Sequence, residues 1–114
     1  MKQYNIFEIT KKGESMISSK ERAKLRAMAQ KLEPVVLVGK GGINDSVLDS
    51  ISLVLESKEL VKIKLLQNSG LESKSASEEI CAKLLADGVQ RIGSTIVVYR
   101  RSHKKDVYHI LQNA

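Results

Sequence analysis

Residues 35–45 read VVLVGKGGIND, an apolar run that opens directly into three glycines and a lysine. Gly39, Gly41 and Gly42 carry no β-carbon, so a partner's backbone or a phosphate can come within hydrogen-bonding distance of their N–H groups. Lys40 adds a full positive charge between them. Asn44 is a good helix N-cap, and a helix starting there would add its own partial positive charge at the same place. The chemistry expected of Gly39, Lys40, Gly41 and Gly42 is recognition of an anion, above all of phosphate.

Two nucleotide-binding patterns are excluded. A P-loop needs Gly-Lys followed by Ser or Thr, whose hydroxyl holds magnesium, and no such triplet occurs. The dinucleotide fingerprint G-x-G-x-x-G fits Gly39 and Gly41 but meets Asn44 in place of its third glycine. The acid that should end the second strand is represented only by Glu59, which precedes it. A G-x-x-G loop between an apolar strand and a helix is instead the arrangement with which KH-type modules clamp a nucleic-acid backbone.

Catalytic chemistry has little to work with. His103 and His109 are six residues apart, without the Cys or carboxylate spacing of a metal site. Cys81 follows Ile80 on an expected helix and reads as inert filler. There are no paired acids, no nucleophile elbow and no oriented base. The expectation is a non-enzyme with no cofactor, no metal and no small-molecule substrate.

Charge points the same way as the loop. Nineteen Lys and Arg against thirteen Asp and Glu give the 114-residue chain a net charge of +6, with a pI near 9.5, which favours a polyanionic partner. Residues 18–34 hold five basic and two acidic side chains and residues 89–114 five and one, whereas 35–57 and 67–88 are each net −2. Segregation of this kind predicts a basic face. No apolar run is long enough to span a membrane or forms a signal-peptide core, and the single cysteine gives no internal disulfide, so the cytoplasm is the expected compartment.

The elements that would position the loop follow from periodicity. Residues 1–15 read as an N-terminal extension ending in the linker-like Gly13-Glu14-Ser15, residues 16–102 as one domain, and residues 103–114 as a polar, loosely held tail. Ser18 and Glu21 have capping-box spacing, and Leu25, Met28, Ala29 and Leu32 form a stripe, predicting a helix over 18–32 that Pro34 ends. Val35 to Val38 is expected to be a strand buried on both faces. Val47, Leu48, Ile51, Val54 and Leu55 predict a second helix over 44–57. Leu60 to Leu66 alternates, with Val61, Ile63 and Leu65 on one face and Lys62 and Lys64 on the other. That second face has no aromatic on its strand and so lacks the base-stacking platform of an RRM. Ser75 and Glu78 suggest another capping box, for a third helix that stops near Gly88. Two β-type runs flank Gly93-Ser94 at the spacing of a tight hairpin. The predicted class is α/β (α+β type), a single αβαβαββ domain whose four-stranded mixed sheet packs against helices.

The stretches SSKERAKLRAMAQKLEPVVLVGKGGINDSVLDSISLVLESKELVKIKL and VQRIGSTIVVYR closely resemble the CRM domain (chloroplast RNA splicing and ribosome maturation), most of all its bacterial stand-alone YhbY type. The likeness covers about residues 16–102. It implies an αβαβαββ fold related to KH modules, and RNA binding, with precursors of the large ribosomal subunit as the associated particles. The family's binding features fall on Gly39, Lys40, Gly41 and Gly42 and on the basic residues of the first helix. One position departs: the family's usual Ala-His is Ala29-Gln30 here. At 100° per residue Lys20, Lys24 and Lys31 lie within about 40° of one another, with Arg22 and Arg26 on the far flank of the apolar stripe. As a set beside the glycine loop they make a candidate phosphate track, and Arg100 and Arg101 at the end of the last strand either extend that basic surface or mark the return to solvent. Tyr99 is expected to pack rather than to stack on a base. The expected partner is RNA, specifically ribosomal RNA in pre-large-subunit particles, bound by a monomer. The rival expectation is a basic module that docks an acidic protein.

Overall fold

The computed structural model describes residues 16–111. The extension expected over 1–15 and the last three residues of the tail lie outside them. The order of elements is α1 (Ser19–Ala29), β1 (Val36–Val38), α2 (Asp45–Lys58), β2 (Leu60–Leu65), a 3₁₀ turn (Gln67–Ser69), α3 (Ser73–Leu84), β3 (Asp87–Ile92) and β4 (Thr95–Tyr99). This is the αβαβαββ arrangement that periodicity predicts. The sheet order is β1-β2-β4-β3, parallel between β1 and β2 and antiparallel elsewhere.

Local signals explain most boundaries. The capping box at α1 is present in both directions: Ser18 Oγ accepts from the Glu21 amide at 3.0 Å, and Glu21 Oε1 accepts from the Ser18 amide at 2.9 Å. Asn44 caps α2 by accepting from the Val47 amide at 2.9 Å. The β3–β4 turn puts Gly93 at φ +58 while Ser94 stays at negative φ, the pattern of a type II′ hairpin.

Two cores lie on opposite faces of the sheet. On the first, Val36, Val38, Val61, Ile63, Leu65, Ile96 and Val98 meet Ile51 and Leu55 of α2 and Ala76 and Ile80 of α3. Each large side chain fully buried there contributes about 1.5–3 kcal/mol. On the second face Leu60, Val89, Val97 and Tyr99 are covered by Leu25 and Ala29 of α1 and by Ile110 and Leu111. Tyr99 therefore packs, and burial, reinforced by the charge of Glu59, pushes its phenol up to about 12.

Four expectations are corrected. Strand β1 is not buried on both faces: Val36 and Val38 are buried, but Val35 and Leu37 are 61% and 57% exposed, because β1 is an edge strand and α1 does not reach over this part of it. Helix α1 ends at Ala29 rather than Leu32, its last turn tightening into the bonds Lys31 N–H to Met28 O and Leu32 N–H to Ala29 O. Helix α3 starts at Ser73, so Ser75 is inside it, where its hydroxyl donates to Glu72 instead of capping. It ends at Leu85 in the left-handed conformation, and Gly88 is already in β3, beside a bulge that carries Val89 inward. The chain after Arg101 is not loose over the described residues: Ser102, Ile110 and Leu111 are buried, since the second sheet face has apolar area that α1 alone leaves uncovered.

Candidate nucleic-acid interface

The glycine loop leaves the C-terminal end of β1 as a tight turn. Gly42 N–H donates to Gly39 O at 2.9 Å, and Asn44 N–H donates to Gly42 O at 3.1 Å. Gly42 has φ +71, a left-handed conformation that a side chain would strain. A β-carbon on Gly41 would stand 3.0 Å from Asn44 Nδ2, so this glycine leaves room for the cap of α2. From behind, Leu66 and Asn68 pack against Gly39, and the Leu66 amide donates to Val38 O. The loop is thus held by its own bonds and by the turn after β2.

What is left over points outward. Lys40 and Gly41 are exposed, and neither amide donates to an acceptor among the described residues. These two N–H groups sit just ahead of the N-terminus of α2, where the helix dipole favours negative charge. Asp45, in the first turn of the helix, takes up part of that field. The arrangement can receive an oxyanion between two amides and a lysine.

The other predicted residues divide. Lys20, Lys24 and Arg26 on α1 and Lys31 just after it are exposed, as is Arg101. Arg22 is half-buried and partly committed, its Nε donating to Gly88 O at 3.1 Å. Arg100 turns inward: its guanidinium donates to Leu84 O at 2.9 Å, to Ser52 Oγ at 3.0 Å and to Glu56 at 2.9 Å. The reason is Glu56, one of a pair of carboxylates at the C-terminal end of α2, a place where the helix dipole already disfavours negative charge.

That carboxylate pair went unforeseen. Glu59 has no solvent exposure and caps α2 at φ +67. Its carboxylate accepts from the Ser102 amide (2.7 Å) and the Ile110 amide (2.8 Å), and His109 Nδ1 lies 2.6 Å away. Burial alone would raise its pKa, but the bonds from His109 and the two amides outweigh it, and Glu59 is lowered. Glu56 meets the His103 amide and ring at 3.0 Å each, along with Arg100. Against the opposing effect of burial, these partners push it down to about 2. Glu59 lies 43 to 51 residues before its tail partners, beyond the reach of any periodic pattern, so only the histidines themselves hinted at this clamp.

Burial raises the Cys81 thiol to about 11, which makes it a poor nucleophile at neutral pH. Among the described residues no three His, Cys, Asp or Glu side chains group to hold a metal ion, and no helix is long and apolar enough to cross a membrane.

Known proteins match this chain along nearly all of the described fold. The model of the CRS1 / YhbY (CRM) domain matches residues 17–100. A protein of Bacillus subtilis strain 168 named probable RNA-binding protein YqeI is 38% identical over 87 residues, covering 76% of this chain and 91% of its own. A Haemophilus influenzae protein named RNA-binding protein is 31% identical, covering 80% of this chain and 92% of its own. The solution structure of the hypothetical protein SAV1595 from Staphylococcus aureus, described as an RNA-binding candidate, superposes with a TM-score of 0.68 at 36% identity. It covers 82% of this chain and 99% of that one.

Proposed function

The chain belongs to the CRS1 / YhbY (CRM) domain family, and on that premise we propose that it is a non-enzymatic RNA-binding protein that assists maturation of the large ribosomal subunit. The observation that carries the reading is the pair of uncommitted amides at Lys40 and Gly41, beside an exposed lysine at the N-terminus of α2. A phosphate of the RNA backbone sits there, and Gly39 and Gly42 hold the turn that presents it. Lys20, Lys24, Arg26, Lys31 and Arg101 supply further phosphate contacts, which position the protein without reading sequence. Arg100 drops out of this track because its donors are spent inside the protein, and Arg22 contributes less than its neighbours. The names of the relatives support RNA as the partner; ribosomal RNA in pre-large-subunit particles, a monomeric binder and a cytoplasmic site of action are our extension of it.

The test is binding to RNA as salt is varied. Four to six phosphate contacts on a single strand give a slope of log K against log salt of roughly −3 to −4. Replacing Lys40 and Gly41 with Asp puts carboxylates where the phosphate would be, and affinity falls at least about 10-fold, since a charge-assisted bond contributes about 1.5–3 kcal/mol. Unchanged affinity in a folded variant overturns the loop as the site. On sucrose gradients the protein should travel with large-subunit precursors at low salt and leave them at high salt. Co-sedimentation with ribosomal proteins that survives both high salt and ribonuclease would favour docking to an acidic protein.

A further inference from the structure

The strand registers place four side chains in one row across the sheet, directly behind the glycine loop. Leu37 pairs with Lys64, Lys64 with Thr95, and Thr95 with Ile92. Residues opposite one another on neighbouring strands point to the same face. This is the second face, the one α1 covers further along the strands. In the next row Val97 is buried, whereas here Leu37 is 57% and Ile92 64% exposed, Lys64 is exposed and Thr95 half-buried. Neither the helices nor the described part of the tail covers this row. It begins at Leu37, two residues before Gly39, so its β1 end adjoins the loop.

We infer that this row is a base-contacting surface for single-stranded RNA, extending the phosphate site at the loop; the inference rests on the RNA-binding reading above. Two exposed aliphatic side chains at the ends of a row, with a lysine and a hydroxyl between them and no acid, suit a strand that is apolar on its base faces and anionic along its backbone. Leu37 and Ile92 take base faces out of water, Lys64 meets a phosphate, and Thr95 can donate to or accept from a base edge. Three inter-strand steps of about 4.8 Å make the row roughly 14 Å long, room for a short run of nucleotides; with no aromatic in the row, it offers aliphatic contact rather than the ring stacking of an RRM. Duplex RNA has its bases stacked and paired, so their faces cannot lie on this surface, and the row selects single strands. An acidic protein partner fits less well, because Lys64 is the one charge in the row and the other three positions would offer it none to pair with.

The full chain carrying Leu37→Thr together with Ile92→Thr removes most of the apolar reach and keeps residues suited to strands. Leu53→Thr, at a 71% exposed position on the outer side of α2, is the control. Fluorescence anisotropy is read with an unstructured oligouridine, a blunt RNA duplex and inorganic polyphosphate. The paired variant should bind oligouridine about 10-fold more weakly with its salt slope unchanged, bind polyphosphate as the parent does, and leave the melting temperature near that of the control. Parental affinity for oligouridine would overturn the inference, as would an equal loss on polyphosphate or a parent that prefers the duplex. A variant that keeps RNA binding but loses a ribosomal protein partner would reassign the row to protein docking. A parent protein that binds neither RNA nor polyphosphate overturns the RNA reading itself, a result distinct from any of these.

Discussion

At its N-terminal end α2 presents two amides and a lysine with no acceptor among the described residues, while at its C-terminal end two carboxylates are saturated with donors. Both ends gather charge, and they treat it oppositely. The N-terminal groups are of the sign that the helix end already carries, so they reinforce one another toward an outside anion. Glu56 and Glu59 oppose the dipole at their end, and Glu59 is also fully buried, so internal partners are what hold both carboxyls below their usual range. These partners are the side chains of Arg100, His103 and His109 and the backbone amides of Ser102, His103 and Ile110. The consequence is that Arg100, near the C-terminal end of α2, serves stability, whereas Lys40 at the glycine loop has no partner among the described residues. Net charge cannot tell the two apart.

Breaking the saturated end should give the largest effect. Glu59→Ala strands the Ser102 and Ile110 amides and the His109 ring, and it keeps a side chain at φ +67. Removing one partner of a buried charged network costs about 3–5 kcal/mol. At about 4–8 °C per kcal/mol for a domain of this size, the melting temperature should drop by more than about 10 °C in thermal circular dichroism. RNA affinity measured well below that temperature should not change. A small drop would mean that the tail is held by Ile110 and Leu111 alone.

Acid tests the same end more gently. Glu56 has its pKa lowered from 4.5 to about 2. As pH falls below 4.5 the unfolded chain takes up the proton first, while the native carboxylate resists until about 2, so the unfolded state binds more protons in that window. The stabilisation is complete above about 4.5 and lost as pH falls toward 2. Glu56→Gln should lower stability at pH 7 by about 2 kcal/mol, the range for a bond to a charged group, and flatten the acid limb of the melting-temperature profile. An unaltered acid limb would assign that pH dependence to other carboxylates.

The smallest effect belongs to the open end. Gly42→Ala forces an L side chain to φ +71 but meets nothing within 4 Å, so only backbone strain of about 1 kcal/mol is expected. The melting temperature should fall by about 4–8 °C, less than for Glu59→Ala. A loss comparable to that variant would show that the loop, too, is part of the structural frame.

Much of the fold was legible because its signals are local. Ser18 with Glu21, Asn44 before an apolar stripe, the alternation from Leu60 to Leu65 and Gly93-Ser94 between two β-type runs each act within a few residues, and each operates as read. The capping pattern at Ser75 misled because the same spacing is satisfied inside a helix by a bond to Glu72. In the candidate site, the tight turn at Gly39 to Gly42 and the exposure of Lys40 were legible from composition. The inward turn of Arg100 was not, since its partners Ser52 and Glu56 are more than forty residues away.

By itself the sequence determined the order of the elements, the caps that start α1 and α2, the glycine turn and the excess of positive charge. These depend on short-range sterics, hydrogen bonds and periodicity. Only the tertiary structure decided which apolar residues stay in water and which charges are spent. Leu37 and Ile92 are exposed because β1 and β3 are the sheet's two edges and α1 crosses elsewhere; Arg100 is consumed because β4 ends beside Glu56. Burial and pairing are properties of neighbours in space, and a strand's pattern is the same whether a helix covers it or not.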